Sequence, residues 1–173
     1  MQNDMKRMVM LTALLLMILS AQAQDARVAE IRRLYAEVKE NMEYRKKAEI
    51  PPNDMVVTLN YMAPGAGPVK DVTRYFYDGE FKEDAGNVVY CPIFITRKYN
   101  VGAAEYYEEY LFDEGSLVFY FCKQLDNETR YYWGINGFMH EVIKGERLTG
   151  DTAAADLASD MKMAFDKLIN RNN

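Results

Sequence analysis

Four carboxylates lie close together in one short stretch of this chain, and paired carboxylates can carry out acid–base chemistry. They are Glu105, Glu108, Glu109 and Asp113. Two carboxyl groups roughly 5–10 Å apart serve glycoside hydrolysis, one as the acid and the other as the nucleophile or base. If the stretch is a strand, alternation puts Glu108 on one face and the other three on the opposite face. A carboxylate-dependent hydrolase is therefore one hypothesis, and it requires two of these groups to meet in a cleft.

A simpler interpretation of the same carboxylates is ion pairing. Arginines occur on the neighbouring predicted strands, and opposite charges that face each other across strands stabilise antiparallel sheets. The available partners are Arg74, Arg97 and Arg130. Because no second feature of the sequence singles out an acid pair, we favour ion pairing and expect no catalytic residue.

Other reactive groups are sparse. His140 is the only histidine, so a catalytic triad or a zinc site would have to use it. The sequence has no Gly-x-Ser-x-Gly elbow for a nucleophile, and zinc sites commonly need several histidine or cysteine ligands. The loop at residues 63–68 contains two glycines, but it has two prolines and lacks the lysine of a phosphate-binding loop. We expect neither a metal nor a cofactor.

Cys91 and Cys122 are the only cysteines, and their pairing depends on the order of the strands. If the predicted strands near 90–99, 104–113 and 116–125 form a simple meander, the two cysteines lie two strands apart. Their Cα atoms are then at least about 9.5 Å apart, whereas a disulfide needs less than about 7 Å. We expect both cysteines to be reduced, and a disulfide would require a different strand order.

The first residues have the pattern of a targeting segment. Lys6 and Arg7 precede an apolar run at residues 8–19, and Ala21-Gln22-Ala23 supplies small residues for cleavage before Gln24. A retained membrane anchor is the alternative, but the run is short for a bilayer core of about 30 Å. The sequence predicts a signal peptide at 1–23 and one exported domain at 24–173. This domain would be periplasmic or extracellular, without stable membrane insertion.

The charge balance bears on the class of partner. The chain has 21 lysines and arginines and 26 aspartates and glutamates, which gives a formal net charge of −5. A mildly acidic chain with no basic run argues against nucleic acid as a partner.

Hydrophobic periodicity predicts an α+β fold. A helix at 25–47 has apolar residues at three- and four-residue steps, and residues 55–144 alternate as strands. A second helix follows Asp151. The predicted helix stripes are Val28, Ile31, Leu34, Tyr35, Val38 and Met42, and Ala154, Leu157, Met161, Ala164, Phe165 and Leu168. We expect an antiparallel β-meander of about six or seven strands flanked by an N-terminal and a C-terminal helix.

Three stretches share the chemistry of a β-hairpin, in which aromatic residues lead into a glycine turn. They are residues 74–79, 109–115 and 130–137. At 108–119 and 130–139, with a weaker copy at 74–81, the chain resembles exported proteins of unknown function from Bacteroidota. The resemblance implies an exported α+β fold and supplies no activity or catalytic residue.

Aromatic residues alternate on both sides of the predicted strands. In one interpretation the two helices cover different sheet faces and the aromatics are core, which is their usual place. In the other, both helices cover one face, and the open face binds a protein or glycan partner. Alternation suggests Tyr107, Tyr120, Arg130 and Tyr132 as binding residues, because tyrosine and arginine are common interface anchors. The leading hypothesis is an exported, non-enzymatic binding module; the alternatives are the hydrolase or a structural envelope protein.

Overall fold

The computed structural model describes the backbone of residues 2–83, 86–134, 139–143, 146–148 and 153–170, and side-chain surroundings at 23, 25–83, 86–134 and 153–170. The elements in chain order are α1 (Gln2–Lys47), β1 (Asp54–Ala63), β2 (Gly67–Lys82), β3 (Asn87–Val101), β4 (Ala104–Asp113), β5 (Ser116–Gln124), β6 (Asn127–Trp133), β7 (Met139–Ile143), β8 (Glu146–Leu148) and α2 (Ala153–Ile169). One helix thus precedes an antiparallel sheet and one follows it. The predicted α+β class is confirmed.

Six strands, β1 to β6, form the main antiparallel sheet, and each pairs with the next along the chain. The short strands β7 and β8 extend it beyond β6. The β4–β5 connection contains Glu114 and Gly115 with φ of 48° and 76°. Two consecutive positive φ angles suit a tight hairpin turn, in which glycine carries no steric cost. The predicted turn at this point is confirmed.

The turn predicted at Asp78-Gly79 is wrong. Both residues lie inside β2, where they pair with Cys91 and Tyr90 of β3. A Cβ atom on Gly79 would lie 2.8 Å from a methyl carbon of Val88 and 2.9 Å from the Tyr90 ring. Glycine is needed here because neighbouring side chains pack closely over the strand, and not because the chain turns. The turn expected at 136–137 lies outside the described residues.

The two helices cover opposite faces of the sheet. The six residues predicted as the α1 stripe all contribute to a core with Phe94, Leu111 and Phe119, of which Ile31 is the most buried helical member. On the other face, α2 packs on Tyr75, Tyr110 and Tyr120, among others. The aromatic residues on both sides are therefore core. The expectation of an open aromatic face is not met, because each face carries one helix.

The buried stripe of α2 differs in part from the prediction. Ala164 and Leu168 are exposed, whereas Ala158 is 1% exposed and Ile169 packs against the core. Ala154, Ala158, Met161 and Phe165 follow steps of four, three and four residues, which keep one face of a helix toward the sheet. The sequence-based prediction therefore placed the stripe toward one side of the helix face that is actually buried.

Helix α1 runs without interruption through the predicted targeting segment. Among the residues that the structure describes, no helix has the length and apolar character needed to span a membrane. Cys91 and Cys122 are both free thiols, on β3 and β5 with β4 between them. This is the strand order for which no disulfide was expected. The side chain of His140 and the predicted cap Asp151 lie outside the described residues.

Candidate functional site

The carboxylates of β4 do not converge. Glu108 and Glu109 are buried, 4% and 3% exposed, but alternation puts them on opposite faces of the sheet. Glu105 is exposed and pairs with Lys98, while Asp113 accepts a bond of 3.3 Å from Arg27. The structure therefore offers no acid pair from these four residues, and the requirement of the hydrolase hypothesis is not met.

Glu108 lies at the centre of a closed polar network on the α2 side. Its Oε1 accepts from the hydroxyls of Tyr99 and Tyr120 at 3.1 Å each, and its Oε2 from Tyr110 at 2.8 Å and Arg97 at 3.4 Å. A carboxylate with two donors on each oxygen has little acceptor capacity left for a substrate. The arrangement fits a structural network better than a catalytic acid.

The Arg97 guanidinium joins Glu108 to a second buried carboxylate. Arg97 forks onto Asp71, with its Nε 3.1 and 3.0 Å from the two oxygens and Nη2 2.5 Å from Oδ2. Burial opposes the charged guanidinium, but Asp71 and Glu108 raise the pKa of Arg97 above its usual range. We define the Glu108 cluster as Asp71, Arg97, Tyr99, Glu108, Tyr110 and Tyr120. Burial, followed by the Glu108 charge, raises the pKa of the three tyrosines.

Glu109 instead joins the sheet to helix α1. Its Oε1 accepts from Lys39 at 2.8 Å and Tyr107 at 2.7 Å, and its Oε2 from Tyr35 at 2.5 Å. Tyr35 and Lys39 are one helical turn apart and so lie on the same side of α1. We define the Glu109 cluster as Tyr35, Lys39, Tyr107 and Glu109. Burial raises the pKa of Tyr35 and Tyr107, and the carboxylate raises it further.

Beside the Glu109 cluster, the flank of α1 and strands β5 and β6 enclose a cavity of about 190 Å³. We call it the α1 cleft. Its lining residues are Arg32, Tyr35, Phe119, Phe121, Arg130 and Tyr132. The register places Phe121 opposite Arg130 and Phe119 opposite Tyr132, so two cross-strand pairs form the floor. Arg32 and Tyr35, three residues apart on α1, form the wall.

Two guanidinium groups flank the aromatic rings of the cleft. Arg130 lies over the Phe121 ring, 5.0 Å from its centre, and pairs with Glu128 at 2.7 Å. Arg32 lies 5.5 Å from the centre of the Tyr132 ring, and its Nε donates to the Tyr132 hydroxyl at 3.3 Å. Within the described part of the chain, no carboxylate forms an ion pair with Arg32. The cleft therefore combines aromatic surface with an arginine that is available to an anion.

The structure brings some of the sequence-predicted binding residues together. Arg130 and Tyr132 line the α1 cleft, and the Tyr107 ring lies 6.5 Å from that of Phe121 at its margin. Tyr120 is 8% exposed on the opposite face, in the Glu108 cluster. Tyr120 therefore does not lie with the other three predicted residues, because alternation within a strand does not give the register between strands.

The remaining residues of the cleft were not identified from the sequence. Tyr35 was predicted only as part of the apolar stripe of α1, and Arg32 lies outside that stripe. For Tyr35 the sequence did contain one signal, because Lys39 follows it four residues later. A helix face that carries a hydroxyl and an ammonium group can donate hydrogen bonds to a buried carboxylate. Helical periodicity places Arg32 nearer to the predicted stripe than Arg33, since Arg32 lies four residues after Val28 and three before Tyr35, but it does not show that Arg32 contacts Tyr132.

A larger cavity of about 280 Å³ lies under the C-terminal half of α1. Leu34, Val38, Met42, Phe76 and Ile93 are among its apolar lining residues, and Glu37, Asn41, Arg45 and Asp78 are polar ones. Both charge signs are present, and the Nε of Arg45 donates to Asn41 at 3.1 Å. This cavity lacks the pair of arginines stacked on aromatic rings that distinguishes the α1 cleft.

Within the described residues, no three or more histidine, cysteine, aspartate or glutamate side chains are grouped so that they could hold a metal ion. No family model, curated protein or solved structure matches this chain. The assignment of a function therefore rests on the geometry of the site.

Proposed function

We propose that this protein is an exported, non-enzymatic binding module, built on an antiparallel meander, which holds its ligand in the α1 cleft. The observation that carries the proposal is the pairing of Arg32 and Arg130 with the rings of Tyr132 and Phe121. Arginine and large aromatic residues supply most of the affinity at many binding surfaces.

The chemistry of the cleft favours a ligand that carries a carboxylate on a planar or apolar body. A guanidinium binds a carboxylate through parallel hydrogen bonds, and the aromatic floor accepts a flat group. Acidic side chains of a protein and acidic sugars of a glycan both offer this combination. A non-enzymatic role is supported by the two buried glutamates, since both Glu108 and Glu109 already accept hydrogen bonds from protein side chains.

Benzoate is the smallest probe of this chemistry, and benzamide is its neutral counterpart. In an NMR titration of the isotope-labelled protein, benzoate is expected to shift the Nε–Hε signals of Arg32 and Arg130, with an affinity on the order of millimolar for so small a molecule. Benzamide is expected to bind more weakly, because it gives no charge-assisted hydrogen bond to a guanidinium.

The matched control is the neighbouring arginine on the same helix. Arg32→Gln should abolish the benzoate response, whereas Arg33→Gln should preserve it, because Arg33 pairs with Glu37 on the exposed side of α1. Equal loss in the two variants would indicate general charge attraction and would reject the cleft as the site. No response to benzoate in the wild-type protein would reject the proposed ligand chemistry and favour a structural envelope protein.

Export is part of the proposal and is tested separately. The basic residues, apolar run and small residues at 6–23 predict that the signal peptide is removed before Gln24. N-terminal sequencing of the protein recovered from cell fractions is expected to begin at Gln24, outside the cytoplasm. A chain that retains Met1 and stays in the cytoplasm would contradict it.

A further inference from the structure

Strand β1 forms one edge of the sheet, and it lacks the usual protection of an edge. It pairs with β2 over ten consecutive residues from Asp54 to Ala63, with no bulge. Native edges are commonly blunted by lysine, proline, bulges or short length. From Met55 to Ala63 this strand has no charged residue and no proline. At about 33 Å it is also longer than a typical strand.

The edge exposes apolar side chains on both faces. Val56 and Met62 lie on the α1 side, and Leu59 and Tyr61 on the α2 side. Their exposed fractions range from 47% for Val56 and Tyr61 to 72% for Met62. Among the described strands, β1 has a neighbour on one side only. Its outer row of backbone groups and four large apolar side chains therefore face outward together.

We propose that two copies of this chain associate through β1, antiparallel and across a two-fold axis at Leu59. Residues that lie opposite each other in an antiparallel pair share a sheet face. With Leu59 opposite its own copy, Val57 lies opposite Tyr61 and Val56 opposite Met62, while Thr58 lies opposite Asn60. Apolar residues meet apolar residues, and polar residues meet polar residues.

The neighbouring registers lose this match. An axis at Thr58 places Val56 opposite Asn60 and Asp54 opposite Met62, and an axis at Asn60 places Thr58 opposite Met62. The uncharged edge also lets two chains of net charge −5 approach without facing like charges at the contact. Asp54, the charged residue of the strand, lies at its outer end and pairs with Arg74.

A strand edge of this size buries less than the roughly 800 Å² per partner of a standard stable interface. We therefore expect a dimer that dissociates on dilution. Sedimentation velocity of the wild-type protein over a hundredfold range of concentration should show a monomer–dimer equilibrium. A monomer throughout that range would overturn the proposal. It would do so even if β1 pairs with a strand of a different protein.

The axis residue gives a sharp test with a matched control. Leu59→Lys places two ammonium groups opposite each other and should weaken dimerisation at least tenfold. Leu168→Lys adds the same charge at a leucine of α2 with nearly equal exposure, 55% against 54%, and should leave dimerisation unchanged. Circular dichroism confirms that each variant is folded. A dimer that persists in Leu59→Lys would place the interface elsewhere.

Cysteine crosslinking tests the register, in a background with Cys91→Ser and Cys122→Ser. Opposite Cα atoms in an antiparallel pair are about 4.5–5.5 Å apart, a distance that a disulfide can bridge. Leu59→Cys should therefore crosslink to its own copy under mild oxidation. Val57→Cys should not, because two Val57 residues are about 13 Å apart along the strands in this register. Equal crosslinking of both variants would reject the register, and crosslinking of Val57→Cys alone would reject it as well.

Discussion

Two neighbouring residues of β4, Glu108 and Glu109, are both buried and both surrounded by tyrosine hydroxyls, yet they connect different parts of the molecule. Glu108 takes all its partners from the sheet, through Arg97 and three tyrosines of β3, β4 and β5. Glu109 takes two of its three partners, Tyr35 and Lys39, from α1. The first cluster is internal to the sheet, whereas the second attaches a helix to it.

This difference separates the sheet face that holds the Glu108 cluster from the face that carries the proposed binding site. The sheet face at the Glu108 cluster has its polar groups saturated by other residues of the sheet. On the other face, Tyr35 contacts Glu109 and also lines the α1 cleft, where Arg32 has no carboxylate partner among the described residues. The attachment of α1 through Glu109 thus fixes the wall of the proposed binding site.

The largest expected effect is alkaline unfolding, which acts on both clusters at once. Burial raises the pKa of five tyrosines, three around Glu108 and two around Glu109, above the ordinary value of about 10. A raised pKa in the folded state means that these groups stabilise the fold below pH 10. This stability is lost as the pH rises further, by up to about 1.4 kcal/mol per pH unit for each phenol.

Urea unfolding at a series of alkaline pH values, with tyrosinate absorbance as a second probe, measures this loss. The free energy of unfolding should fall from about pH 10 upward, and these five phenols should ionise together with unfolding, as a step in tyrosinate absorbance that coincides with it. A constant free energy of unfolding across this range would contradict burial of the phenols.

Removal of the Glu108 charge should cost more than any other single change in these clusters. Glu108→Gln leaves the tyrosine hydroxyls facing an amide that cannot accept from all of them and breaks the contact with Arg97. Loss of one member of a buried charged network costs about 3–5 kcal/mol. Chemical denaturation measures this value. A loss below about 1 kcal/mol would mean that the network is not closed as described.

Removal of the Glu109 charge should cost less and act locally. Glu109→Gln keeps some acceptor capacity, and Lys39 is partly exposed, so we expect about 1–3 kcal/mol. Hydrogen exchange should accelerate in α1 near residues 31–42, whereas in Glu108→Gln it should accelerate in the sheet. Equal exchange patterns in the two variants would remove the distinction between the clusters.

The sequence predicts much of the fold because its periods are clear. The α1 stripe from Val28 to Met42 follows the helical period and is confirmed in full. The turn at Glu114-Gly115 is confirmed as well. The turn predicted at Asp78-Gly79 is wrong, because glycine is required at closely packed positions as well as in turns. Only the close approach of Val88 and Tyr90 to Gly79 shows which of the two requirements applies.

The candidate site was less accessible to sequence reasoning. Arg130 and Tyr132 were identified by alternation, but Tyr120 was grouped with them because the register between strands has no local signal. Arg32 and Arg33 are the same residue type at adjacent positions. About 100° of helix rotation separates them, so the docking angle of α1 decides which one lines the cleft.

Intermolecular NOEs from benzoate test most directly whether a carboxylate binds between Arg32 and Arg130. The ring protons of the bound probe should show NOEs to the rings of Phe121 and Tyr132, and these should disappear in Arg32→Gln. NOEs to Phe76 and Ile93 instead would place the ligand in the larger cavity under α1 and contradict the α1 cleft as the binding site.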